Sequence, residues 1–220
     1  PPLHLLNQTE IDQSLSPKKQ AMGRGIRSAK GDIIVTTDAD CQPSTGWLTS
    51  MVQHFTAEVG MVTGRARFYI EPDAPYWQIL QALDFHSQGY AATGLIADDL
   101  PFSCSGASLA FRRQLFDEIK GYDGVDKLIS GDDELLLAKA AHTDWKIVNA
   151  ATSAAVVPTR PPATLRELWM QRIRWGSKGL YYNNTRKLVL AGIFLFLLCL
   201  TSGPAIMISN SDIRTLWIAF

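Results

Sequence analysis

Cysteine is scarce. Cys41, Cys104 and Cys199 are the whole complement in 220 residues, and no two of them form a C-x-x-C pair. An odd, scattered set excludes a disulfide-stapled secreted scaffold and a cysteine-rich zinc site, and it fits a reducing compartment. Net charge is lacking too, because 21 Lys and Arg balance 21 Asp and Glu. Without a net positive field the chain is not a general nucleic-acid binder, and no nucleic acid is expected as a partner. His4, His54, His86 and His142 show no metal-ligand spacing. Repeats, low-complexity tracts and a basic-then-apolar leader are all missing. The chain opens Pro-Pro-Leu and reads as a piece that begins inside a domain.

What is present is core-forming material. A content of 46% hydrophobic and 19% charged residues excludes disordered and fibrous classes and suits one domain of ordinary size. Ser16-Pro17 reads as an N-cap with proline at the first helical position, followed by a helix over 18–29. Asp32 to Thr37 is a β-branched run suited to a buried parallel strand. Helices are expected over 47–55, 76–90 and 134–141, and strands over 59–63, 107–111 and 145–148. In the helix over 76–90, Trp77, Leu80, Leu83 and Phe85 are the expected apolar side. Alternation of strand and helix implies an α/β sheet with helices on its faces. From Leu188 to Ile208 no charged residue occurs. At ~1.5 Å per residue that run matches a bilayer's hydrocarbon core and is expected to be a transmembrane helix. Arg166, Arg172, Arg174, Lys178, Arg186 and Lys187 precede it, so the preceding part is expected on the cytoplasmic side.

Three stretches carry chemistry. Asp38-Ala39-Asp40 follows the first strand, at the sheet edge where open α/β folds gather ligands. Two acids one residue apart can hold one hard cation through oxygen, although a solvated turn has the same pattern. Ser130-Gly131-Asp132-Asp133-Glu134 sets three acids at a helix start. The helix dipole alone accounts for them, and so does a carboxylate serving as general base. Gln171-Arg172-Ile173-Arg174-Trp175 lies on a helix that Pro161-Pro162 separates from a preceding strand and that Thr164 and Glu167 begin with capping-box spacing. Leu165, Leu168, Trp169 and Ile173 share one side of it, as in a helix lying in a membrane interface.

The ordered set KKQAMGRGIRSAKGDIIVTTDADCQP, CSGASLAFRRQLFDEIKGYDG, SGDDELLLAKA and QRIRW resembles the family 2 glycosyltransferases, particularly the membrane-bound branch of cellulose, chitin and hyaluronan synthases. The resemblance covers nearly all of Ser16 to Gly179. It implies a GT-A fold: a mixed sheet flanked by helices over 1–163, an interfacial helix over 164–183 and a transmembrane region over 184–220. It further implies a nucleotide-diphosphate-sugar donor, with a UDP-sugar favoured, a glycan or lipid-linked acceptor, and Mg²⁺ or Mn²⁺. Asp40 matches the metal-binding acid, and Asp38 matches its partner nearer the nucleotide and sugar. Lys18 matches the lysine near the donor's nucleotide or diphosphate, and Gly106 falls in the glycine-bearing loop near the donor sugar. Asp133 matches the catalytic base, with Asp132 where Glu is usual. Gln171, Arg174 and Trp175 match the signature beside acceptor and diphosphate.

The sequence departs from that family in places. Gly23 and Ser108 stand where Asn is common, and the family's first acidic motif, which grips the nucleotide base, would precede residue 1. Two other readings compete: an inactive membrane scaffold of the same fold, and a metal-dependent phosphohydrolase with Asp38 as nucleophile. A scaffold has no need to keep all four aspartates, and a phosphohydrolase gives no account of QRIRW.

Overall fold

The computed structural model describes residues 4–7, 12–177 and, beyond these, 179, 182, 187, 188, 191, 192 and 195. Two compact units divide the chain, Pro1–Trp175 and Gly176–Phe220. The expected span over 188–208 lies largely outside the described residues. Among those described, no helix is long and apolar enough to cross a membrane.

Helix α1 (Pro17–Ser28) starts as its sequence dictates. Ser16 has extended backbone, its Oγ accepts from Lys19 N, and Pro17 needs no N–H partner at the first position. Strand β1 (Ile33–Thr36) and helix α2 (Trp47–Val52) follow, then β2 (Val59–Thr63) and β3 (Arg65–Phe68). Next come the long α3 (Tyr76–Ala97), β4 (Leu109–Arg112), α4 (Arg113–Glu118), α5 (Glu134–Ala140), β5 (Lys146–Asn149), β6 (Val156–Thr159) and α6 (Leu165–Gly176). Thr164 caps α6 through its Oγ1, which accepts from Glu167 N at 3.2 Å, and Glu167 reaches back to Ala163 N.

The main sheet has the order β1-β4-β2-β5, and a second sheet pairs β3 with β6 in parallel. Strand β4 runs antiparallel to both β1 and β2, whereas β5 runs parallel to β2. The sheet is therefore mixed, and β1 finds an antiparallel partner where its β-branched run had suggested a parallel one. The partner comes from residues 109–112, which no local signal reveals. This register aligns Thr36 and Thr63 with Leu109, so the carboxyl ends of β1 and β2 share an edge with the amino end of β4. Loops leaving β1 and entering β4 must meet there.

Side chains on successive residues point to opposite sheet faces. Met61, Leu109 and Phe111 pack with Ile26, Leu115, Leu136 and Leu137 from α1, α4 and α5. Val59, Val62 and Ala110 pack on the other face with Met51 of α2, Ala150 and Ala155. Truncating a fully buried member such as Leu136 to alanine is expected to cost about 2–5 kcal/mol. Gly64 joins β2 to β3 at a close approach. A Cβ there would lie 2.1 Å from Ser108 Oγ and 2.6 Å from Ala155 O, so the junction requires glycine.

Helix α3 does not bury the side expected of it. Phe85 turns inward and stacks on Phe68, with centroids 4.3 Å apart, but Leu80 and Leu83 are exposed. Asp84 is the helix's one Asp, Glu, Lys or Arg, but Gln78, Gln81, His86, Ser87 and Gln88 spread polar groups around the helix, so periodicity alone does not single out the buried face.

Candidate active site

One ammonium joins the two acidic stretches. Lys18, in the first turn of α1, places Nζ 2.8 Å from Asp38 Oδ1 and 2.8 Å from Asp132 Oδ2. Asp38 leaves β1 at the shared sheet edge, and Asp132 is 8% exposed just before α5. Burial opposes the charge on Lys18, yet the hydrogen bonds to Asp132 and then Asp38 outweigh it and hold the ammonium above the ordinary lysine range.

Asp133 is fixed at both oxygens. Its Oδ1 accepts from Glu134 N at 2.7 Å at the head of α5, and its Oδ2 accepts from Gly106 N at 2.9 Å. Gly106 stands in the loop entering β4, and a Cβ on it would lie 3.4 Å from both Asp132 Oδ2 and Asp133 Oδ2. Thr36 Oγ1 donates weakly to the Gly106 carbonyl at 3.4 Å and ties that loop to the end of β1. Gly131 turns the chain into the acids with φ +81°, a backbone that favours glycine. Lys18, Asp38, Gly106, Asp132 and Asp133 thus form one constellation.

Several contributors escaped the sequence reading. Lys19, next to Lys18, is buried and donates to the carbonyls of Val125, Leu128 and Ser130, pinning the segment that delivers Asp132. Tyr122 packs behind the acids. Burial, then the charges of Asp132 and Asp133, push its hydroxyl well above the usual tyrosine range. Thr159 ends β6 and donates to Asp40 Oδ2 at 3.2 Å. Lys19 and Tyr122 lie inside motif stretches without a role legible in sequence, and Thr159 lies outside them; only the long-range register brings all three to the site.

Asp38, Asp40 and Cys41 bring one ligand atom each within 4.8 Å of one another. Two carboxylates suit a hard divalent ion such as Mg²⁺ or Mn²⁺. Cys41 is the softer neighbour. Burial is the largest influence on its thiol and raises it; Asp40 and Asp38 push the same way, against a hydrogen bond with Thr159. The donor set therefore fits the expected ion through Asp40 and Asp38.

The Gln-Arg-Trp helix meets the domain elsewhere. Trp175 stacks on Phe85 at 5.7 Å and 26°, and the Arg172 guanidinium lies 5.1 Å over the Trp175 ring while pairing with Asp84. Gln171 and Trp175 are thereby seated along α3, and Arg174 is exposed. Strand β6 links the two regions, pairing with β3 while Thr159 reaches Asp40. A groove of about 530 Å³ between α1 and residues 116–126 contains none of the site aspartates.

One feature of this seam is costly. Gln81, 4% exposed and one turn before Phe85, has neither amide atom partnered among the described residues, and Gln171 Oε1, one turn before Trp175, is likewise unpartnered. Unsatisfied buried polar atoms cost about 1–3 kcal/mol. Gln81→Leu, of similar volume, is therefore expected to raise the melting temperature of the protein. An unchanged or lowered melting temperature would show that the amide is satisfied.

Comparison with known proteins agrees with this architecture. A profile of glycosyl transferase family 21 matches residues 4–220. Among solved structures, the mannosyltransferase PcManGT from Pyrobaculum calidifontis, in complex with GDP-Man and Mn²⁺, superposes with a TM-score of 0.56 at 19% identity. The alignment covers 97% of this chain and 65% of that one, and at such identity it shows a shared fold. No curated protein matches. The mixed sheet flanked by helices is thus a glycosyltransferase fold, and the profile, extending over almost every residue, establishes that the chain belongs to glycosyl transferase family 21.

Proposed function

We propose that this chain carries the catalytic centre of an inverting glycosyltransferase. It moves a sugar from a nucleotide-diphosphate donor, a UDP-sugar in our reading, to a hydroxyl of a glycan or lipid-linked acceptor. It works at the cytoplasmic face of a membrane in polysaccharide or glycolipid synthesis. The observation that carries this reading is the Lys18 bridge, which puts the strand-end acids and the helix-start acids within reach of one substrate.

Asp133 takes the proton from the acceptor hydroxyl as its oxygen attacks the anomeric carbon. Its two backbone hydrogen bonds leave a lone pair on each oxygen and fix the direction in which the base points. The new C–O bond forms as the bond to the diphosphate breaks, and the leaving group departs with the electron pair. A single displacement with one base opposite the leaving group inverts the anomeric centre. Lys18 stands where it can meet the diphosphate's charge. Asp40 and Asp38 would hold a divalent ion, which would supply further charge neutralisation at the diphosphate.

The reading is tested by incubating membranes containing the full-length parent with radiolabelled UDP- and GDP-sugars plus Mg²⁺ or Mn²⁺. Label transferred to glycan or lipid supports it, and phosphate release without any acceptor would replace it with a phosphohydrolase. Asp40→Asn is expected to raise the ion concentration needed for half-maximal transfer by about tenfold or more. An ion dependence identical to that of the unmodified protein would remove Asp40 from the metal site.

A further inference from the structure

Helix α3 exposes what a helix in water normally hides. Tyr76, Leu80 and Leu83 form a stripe at i, i+4 and i+7, and Leu83 is 63% exposed. Helix α6 exposes a second stripe at i, i+4 and i+8, Leu165, Trp169 and Ile173, with Trp169 67% exposed. The two helices are joined side by side: Gln78 Nε2 donates to Pro162 O, Asp84 pairs with Arg172, and Phe85 stacks on Trp175. The contacts bind one side of each helix and leave both apolar stripes uncovered. Asp84, the only Asp, Glu, Lys or Arg of α3, is neutralised within the seam. Exposed apolar area on this scale marks an interaction surface.

The sequence indicates what covers it. Soon after α6 the chain enters the uncharged run Leu188–Ile208, introduced by Arg186 and Lys187. Arg166 is exposed on α6 itself, matching anionic headgroups in charge. Helix α3 is not apolar enough to span, so a position parallel to the surface is the one open to it.

We propose that α3 and α6 together form a platform lying in the headgroup region of a lipid bilayer, with Leu80, Leu83, Trp169 and Ile173 inserted toward the acyl chains. This rests on the membrane reading above and extends it to α3, whose leucines the sequence had assigned to the protein's own apolar packing. Two embedded helices fix the domain's tilt as well as its distance from the membrane, which one amphipathic helix cannot do. The edge of the β3–β6 sheet that supplies Thr159 to Asp40 is then held at constant height above the lipid.

The test uses the full-length protein in vesicles of phosphatidylcholine and phosphatidylglycerol containing a radiolabelled phospholipid. A photoreactive benzoyl-phenylalanine is placed singly at position 83, at position 194 within the uncharged run, or at the exposed position 117 on α4. Lipid adduct at position 83 is expected to exceed that at 117 by about tenfold and to approach that at 194. Adduct at 194 with none at 83 overturns the platform and leaves the membrane reading intact. No adduct at either overturns both. A protein–protein adduct at 83 overturns the platform in favour of a second copy of this chain.

Discussion

Asp133→Asn is expected to lower transfer by about 10²–10⁴-fold while donor binding survives, because the change removes the proposed general base without removing a proposed ligand of the diphosphate. The expected result has a structural complication that shapes the measurement. Two backbone N–H groups, from Gly106 and Glu134, converge on the two carboxylate oxygens. Asparagine offers only one oxygen to them, so one N–H must lose its partner, at a cost of about 1–3 kcal/mol. Turnover, donor affinity and melting temperature are therefore read on the same preparation. A large loss of turnover with near-normal donor affinity assigns the base. Near-normal turnover would end the assignment, and loss of donor affinity in step with turnover would make Asp133 a scaffold for the Gly106 loop.

The second large effect is expected at Lys18. Lys18→Met leaves Asp38 and Asp132 facing each other without the ammonium that both bind at 2.8 Å. Two like charges then share a partly buried site, and on the proposed reading the diphosphate loses one of its cations; turnover is expected to fall about a hundredfold. Lys18→Arg is not a conservative repair, since a planar fork cannot reproduce a point charge held between two carboxylates. The pH dependence follows from the direction of the shift. The folded protein holds Lys18 above the ordinary value of 10.5, so its contribution to stability is complete below that value. The contribution is lost only as pH rises through the higher folded value. The gap in melting temperature between Lys18→Met and the unmodified protein should therefore stay constant from pH 7 to 9. A gap that closed within that window would show that Lys18 is not the charged bridge.

Much of the site was legible because its parts are local. Asp38 and Asp40 announce themselves by following a β-branched run, Asp132 and Asp133 by crowding a helix start, and α6 by its capping residues. The helices over 17–28, 134–140 and 165–176 carry their own start signals and form as those signals require. Strand β3 and helix α4 went unread. Arg65–Phe68 is short and interrupted by arginine, and Arg113–Glu118 is a single charged turn and a half. The buried face of α3 was not legible because its polar and apolar residues are both spread around the helix, which leaves little periodicity to interpret.

The sequence by itself determined the types of element, the acids available for a hard cation and a base, and the long uncharged run after α6. Each depends on residues within a few positions of one another, where capping, alternation and charge crowding act. Only the tertiary structure decided that β4 runs antiparallel beside β1, which brings Gly106 to Asp133, and that Lys18 stands between acids from segments far apart in the sequence. It also decided that Thr159 turns toward Asp40 and that the leucines of α3 face outward. Those facts rest on strand register and on packing between distant segments, and a pairing energy between distant residues leaves no mark on the local pattern of either.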